Sequence, residues 1–119
     1  MSLVRVLAAG ELPPGSLRAV DVPDAEGTLL PVVVVRDEDG AYHALADECS
    51  HQAVLLSDGE DDAVEGCALE CWLHGSRFDL RTGAPSGLPA TRPVPVYRVE
   101  VDGDDLLVDV EARADGAAA

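Results

Sequence analysis

The chain is poor in most of the residues on which functional readings usually rest. Its aromatic residues are Tyr42, Trp72, Phe78 and Tyr97 and no others, so a core must come mainly from Val, Leu and Ala. Basic residues are also scarce: 8 Lys plus Arg stand against 23 Asp plus Glu, for a formal net charge of -15. That balance argues against nucleic acid as a partner, because phosphate binding needs clustered Lys and Arg. It favours solubility, and it would steer the chain toward basic patches on partner proteins. No apolar run is long enough for a secretory signal or a membrane span, and the longest β-branched run covers residues 32–35. An odd cysteine number (3) without an export signal fits a reducing cytoplasm. Spaced Cys and His in that compartment bind metal more often than they form disulfides.

At 119 residues the chain has room for one domain with a thin core. Strand signals sit at both ends. Residues 3–7, 17–22 and 30–36 read as strands, and an acidic turn at 37–40 leads into a hairpin partner at 41–45. Residues 94–101 alternate apolar and polar, turn at 102–105, and pair back through 106–110. The middle is rich in Gly and acidic residues, with Asp58 to Asp62 expected to form a hairpin tip. Pro85, Pro89, Pro93 and Pro95 mark an extended return loop. No long amphipathic helix, internal repeat or heptad pattern is present. The expectation is an all-β fold: a β-sandwich or open barrel as base, with an inserted smaller lobe. The base takes residues 1–46 and 91–111, the lobe about 47–90, and residues 112–119 form a flexible tail.

The lobe carries the chemistry. Cys49-Ser50-His51 and Cys71-Trp72-Leu73-His74-Gly75 are separated by residues 52–70. Four of the chain's 3 Cys and 3 His therefore fall into one Cys-x-His and one Cys-x-x-His pair. Two thiolates with two imidazoles suit a [2Fe–2S] cluster held by both Cys on one iron and both His on the other. The same four residues also suit tetrahedral zinc. Gly75 directly after His74 allows the tight turn that such spacing needs. In a cluster, replacing two thiolates by neutral imidazoles leaves less negative charge and so raises the reduction potential. Cys67, the remaining cysteine, reads as a small structural residue on a strand. His43 reads as a half-exposed residue of the base hairpin.

Cys49-x-His51, Cys71-x-x-His74-Gly75, Phe78-Asp79 and Thr82-Gly83 together resemble the Rieske ferredoxin family, from about Leu3 to Val110. The resemblance implies a single Rieske domain over residues 1–111, with one [2Fe–2S] cluster held by Cys49, His51, Cys71 and His74. It implies a one-electron carrier, an oxidoreductase component without catalysis of its own, similar to the soluble ferredoxins of bacterial dioxygenase systems. The implied partners are a flavin-dependent ferredoxin reductase and a terminal oxygenase or other redox acceptor. The alternatives are the small subunit of an assimilatory nitrite reductase and a structural zinc-binding module. Several positions depart from the family. The spacer is slightly long, Trp72 stands where proline is common, and neither cluster loop has the extra cysteine of respiratory relatives. Ser76 matches a serine that donates to the cluster in high-potential relatives, whereas Phe78 replaces their tyrosine. The missing hydroxyl at Phe78, the missing disulfide and the acidic field imply a low potential. Docking is expected around Gln52, Trp72, Leu73 and residues 85–87.

Overall fold

The computed structural model describes residues 3–49, 54–72, 75–86 and 93–113. Among them there is no α-helix, which follows from a sequence that alternates with period two and breaks often at Gly and Pro. Ten strands form two antiparallel sheets. The large sheet contains β1 (Val4–Ala8), β2 (Ser16–Pro23), β3 (Leu29–Arg36), β4 (Tyr42–Ala46), β9 (Val96–Asp102) and β10 (Asp105–Arg113). Its order is β1-β10-β9-β4-β3-β2, and its edges β1 and β2 come together without pairing, so the sheet is a nearly closed barrel. The small sheet is a meander of β5 (Val64–Glu65), β6 (Ala68–Glu70), β7 (Arg77–Asp79) and β8 (Pro85–Ser86). The all-β expectation, a barrel-like base with a smaller lobe inserted between β4 and β9, describes this arrangement. Residues 114–119, most of the expected tail, lie outside the described residues, and β10 continues to Arg113.

The valine run explains how the two sheets are joined. Residues 32–35 of β3 are fully buried, so this stretch of the strand has no solvent face. Val32 and Val34 point into the barrel core with Leu7, Val22, Ala44, Tyr97, Leu106 and Val108. Val33 and Val35 point the other way, against Leu45, Leu56, Leu69, Phe78, Leu80 and Val96. Strand alternation thus turns one continuous apolar run into two packed faces. The second face is shared with the small sheet and includes Cys49 and Cys71.

Two local readings need correction. The acidic segment 58–62 is not a hairpin tip. It lies within a 3-10 stretch, Leu56–Ala63, broken by a kink at Glu60, whose φ is 55°. Leu56 and Ala63 at its ends are buried, and this anchoring wins over the turn tendency of the acidic residues between them. Pro85, expected in the extended return loop, lies in β8 opposite Phe78, on an edge strand where a missing N–H costs little, and Pro89 of that loop lies outside the described residues.

Asp47 fixes the 3-10 stretch to the end of β4. Its carboxylate is buried and accepts from the Ser57 amide (2.8 Å) and the Ser57 hydroxyl (2.6 Å). Its own amide donates to the Pro31 carbonyl at 3.0 Å. Gly83 fixes the other end of the small sheet. It has φ +75°, donates to the Asp79 carbonyl and accepts from the Val94 amide. A Cβ there would sit 1.9 Å from the Val94 carbonyl oxygen.

Two outcomes follow from these anchors. Gly83→Ala should destabilise the folded protein by about 2–4 kcal/mol, since it adds a backbone clash to an unfavourable φ. An unchanged urea midpoint would refute the close approach. Asp47→Ala should cost about 2–3 kcal/mol by stranding the Ser57 donors. The same denaturation measurement, with Asp47→Asn as the milder variant, checks the magnitude.

Candidate metal centre

Cys71 directly follows β6, and Arg77 opens β7 opposite Glu70. The hairpin register continues one step further: the Cys71 amide donates to the Ser76 carbonyl at 2.6 Å. The Gly75 amide then donates back to the Cys71 carbonyl at 2.9 Å, which closes a tip of residues 72–75. Gly75 has φ +80°, a conformation that a side chain would strain. Cys49 lies three residues beyond β4, and its amide donates to the Val54 carbonyl at 3.0 Å, closing residues 50–53. Each cysteine thus forms the base of a short, backbone-pinned loop.

Both thiols are buried, Cys49 at 4% exposure and Cys71 at 1%, in the same apolar cluster, and neither is in a disulfide. His51 and His74, the other two expected ligands, lie outside the described residues, as do Gln52, Leu73 and Gly87 of the expected docking tip. His51 falls inside the loop closed by Cys49 and Val54, and His74 inside the one closed by Cys71 and Ser76. Two buried thiols, each at the root of a pinned loop that contains one imidazole, fit a cluster with mixed Cys and His ligation.

The two loops are tied together at the surface. The Trp72 indole Nε1–H donates to the Leu55 carbonyl at 2.9 Å, bridging the second loop to the segment after the first. Trp72 remains 46% exposed and Leu55 42%, which leaves an apolar surface beside the thiols. Gly59 lets the 3-10 stretch approach, since a Cβ there would meet the Trp72 Cβ at 3.3 Å. Ser76 and Phe78 are both buried next to the second loop, and Phe78 brings no hydroxyl to it.

Two residues sit differently from their expected places. His43 is not half exposed: its side chain is 11% exposed, and Nε2 lies 2.8 Å from Asp37 Oδ2. Burial alone would raise the Asp37 carboxyl, but the bonds from His43 and from the Ala41 and Asp39 amides hold it below the ordinary carboxylate value. Cys67 is not on a strand but in the turn between β5 and β6, partly buried, with a thiol pushed up by burial. One donor atom each from Asp37, His43 and Cys67 lie within 4.8 Å of one another. Nothing local in the sequence signals this meeting, because it requires the β5–β6 turn to fold back onto the β3–β4 turn. A hydrogen bond records that return, with the Gly66 amide donating to the Glu38 carboxylate.

Comparison with known proteins agrees with this geometry. The signature of the Rieske [2Fe-2S] domain matches residues 2–98. The ferredoxin component of biphenyl 2,3-dioxygenase from Rhodococcus jostii is 38% identical over 114 residues, covering 93% of this chain and 95% of the relative. The ferredoxin of carbazole 1,9a-dioxygenase from Nocardioides aromaticivorans superposes with a TM-score of 0.74 at 38% identity, over 92% of this chain and 98% of its own. A chain from the complex of reduced oxygenase and oxidised ferredoxin in carbazole 1,9a-dioxygenase gives a TM-score of 0.77 at 34% identity, over 90% of this chain and 92% of its own. The chain belongs to the Rieske [2Fe-2S] domain family, and its cofactor is a [2Fe-2S] cluster.

Proposed function

We propose that Cys49, His51, Cys71 and His74 hold the cluster, and that the chain carries single electrons from a flavin-dependent reductase to a terminal oxygenase or a similar acceptor. The observation that carries this reading is the pair of buried, disulfide-free thiols at the roots of two pinned loops, each loop containing one histidine. When bound, the cluster takes up and releases one electron. The chain's own task is to hold the four ligands in place without large movement. The Cys49–Val54 and Cys71–Ser76 backbone bonds do this, and burial of both cysteines keeps water from their sulfurs.

Residues 1–111 act in this reading as one domain, with the lobe of about residues 47–90 meeting the partners. Contact centres on Trp72 and Leu55, whose exposed apolar surface lies beside the second loop. The relatives named above are ferredoxins of dioxygenase systems, and one structural relative comes from a complex with its oxygenase, which supports an oxygenase as acceptor. A small, fast-dissociating interface suits an electron carrier that must visit two partners in turn. No helix among the described residues is long and apolar enough to cross a membrane, and a cytoplasmic setting suits the free thiols.

Protein purified without oxygen should be red-brown. On reduction with dithionite it should give an anisotropic EPR signal with average g below the free-electron value. Replacing any of Cys49, His51, Cys71 or His74 by Ala should abolish that signature, whereas Cys67→Ala should leave it intact. A colourless protein with stoichiometric zinc would overturn the reading. The potential should lie near the lower end of the Rieske range, about −150 mV. The buried Phe78 offers no hydroxyl hydrogen bond, and a net charge of -15 disfavours adding an electron. A potentiometric titration with a midpoint well above zero would contradict this.

A further inference from the structure

Outside the cluster loops, the described residues bring one other set of metal-binding side chains together. Asp37 closes the β3–β4 turn, His43 is on β4, and Cys67 is in the β5–β6 turn. Each offers a donor atom within 4.8 Å of the other two. The set is largely enclosed: the Asp37 side chain is 5% exposed, that of His43 is 11%, and Cys67 is partly buried. Cys67 lies four positions before Cys71, about 13 Å along an extended strand, so this trio is distinct from the cluster ligands.

We propose that Asp37, His43 and Cys67 form a second metal site, which takes a divalent ion of the zinc type. The donor set selects the ion. A thiolate with an imidazole is too soft for calcium or magnesium, and with one carboxylate it makes a three-ligand zinc shell whose fourth position is left for water. Charge balances as well, because one thiolate and one carboxylate neutralise a divalent ion. The carboxylate is already prepared. Oδ1 accepts from the Asp39 and Ala41 amides, each at 2.9 Å, which leaves Oδ2 facing His43. Two further groups border the site. Arg81 lies near the Cys67 thiol, but its side chain is 70% exposed and can swing out, and Asp79 adds a negative charge nearby. Binding displaces the Cys67 proton to solvent and so strengthens as pH rises. The consequence is mechanical. Asp37 and His43 lie on the β3–β4 hairpin of the large sheet and Cys67 in the β5–β6 turn of the small one, so the ion would clamp the two sheets together at the end of β6 opposite Cys71.

The test uses the cluster-loaded protein titrated with zinc(II) against a chromophoric chelator, with iron content followed throughout. The expected result is one zinc per chain, no loss of iron, and a zinc-edge absorption spectrum fitted by one sulfur at about 2.3 Å with nitrogen and oxygen at about 2.0–2.1 Å. Zinc should also raise the melting temperature, through preferential binding to the folded state. Cys67→Ala should weaken zinc binding at least tenfold and remove the melting shift while the visible spectrum stays unchanged. His43→Gln should weaken binding similarly, and Cys67→Ala carries the test alone if His43→Gln fails to fold. Undiminished affinity in Cys67→Ala, or no zinc retained by the unaltered protein, would overturn the site. So would two sulfurs in the zinc shell with loss of iron, which would place the metal at Cys49 and Cys71.

Discussion

The structure depends on one four-residue stretch of β3, residues 32–35, that has no solvent-facing side. Val32 and Val34 complete the barrel core, while Val33 and Val35 form the floor on which the small sheet rests. A short chain with so few aromatic residues cannot build two independent cores, because too little apolar surface is available to each. Sharing β3 solves that problem: alternate residues contribute to different cores, and the second core closes only with the small sheet. The cysteines lie in the shared layer, with Cys49 and Cys71 among Leu56, Leu69 and Phe78. The centre is therefore held by the tertiary packing of the whole chain and not by its loops alone.

Within that layer the backbone provides the finer positioning. Cys71 extends the β6–β7 hairpin by one more hydrogen-bonded pair before the chain is released into the tip, and Cys49 closes its own loop onto Val54. A redox centre gains from such rigidity, since less of the protein must rearrange when the charge changes by one unit. The Trp72 indole adds a cross-link between the two loop segments while its ring stays exposed. One residue thus joins the loops and leaves an apolar face for a partner, a combination suited to the indole, which has one polar edge on a large apolar ring.

The sequence was most legible where a signal repeats over several residues. The valine run, the alternation through residues 94–101 and the turns at 37–40 and 102–105 all appear close to their expected places. The Cys-His spacing carries information for a different reason, since metal chemistry restricts residue type and separation together; of the four, the structure brings Cys49 and Cys71 into one buried layer. What could not be read depends on packing between segments remote in sequence. The acidic stretch 58–62 has the composition of a turn, but burial of Leu56 and Ala63 on either side winds it into 3-10 geometry. Pro85 pairs in an edge strand because Phe78 happens to lie opposite. His43 is enclosed because a carboxylate six positions earlier turns back toward it, and because the β5–β6 turn covers the same corner. None of these contacts leaves a periodic trace.

Charge and shape have separate tasks on such a surface. A net charge of -15 acts over about 8–10 Å at physiological ionic strength, well beyond contact distance, and so orients a basic partner before the surfaces meet. Many exposed charges cannot by themselves make a durable complex, since each surface ion pair is worth little once screened. In the proposed docking, the exposed Trp72 and Leu55 would act at short range, next to the loop that carries Cys71. Asp58 and Glu60 are exposed on a kinked segment and flank Gly59, which packs near Trp72, so negative charge lies beside this apolar spot. Burying those carboxylates would impose a desolvation cost and slow release. Leaving them at the rim keeps association fast and dissociation easy, as a carrier requires when it exchanges one electron per encounter.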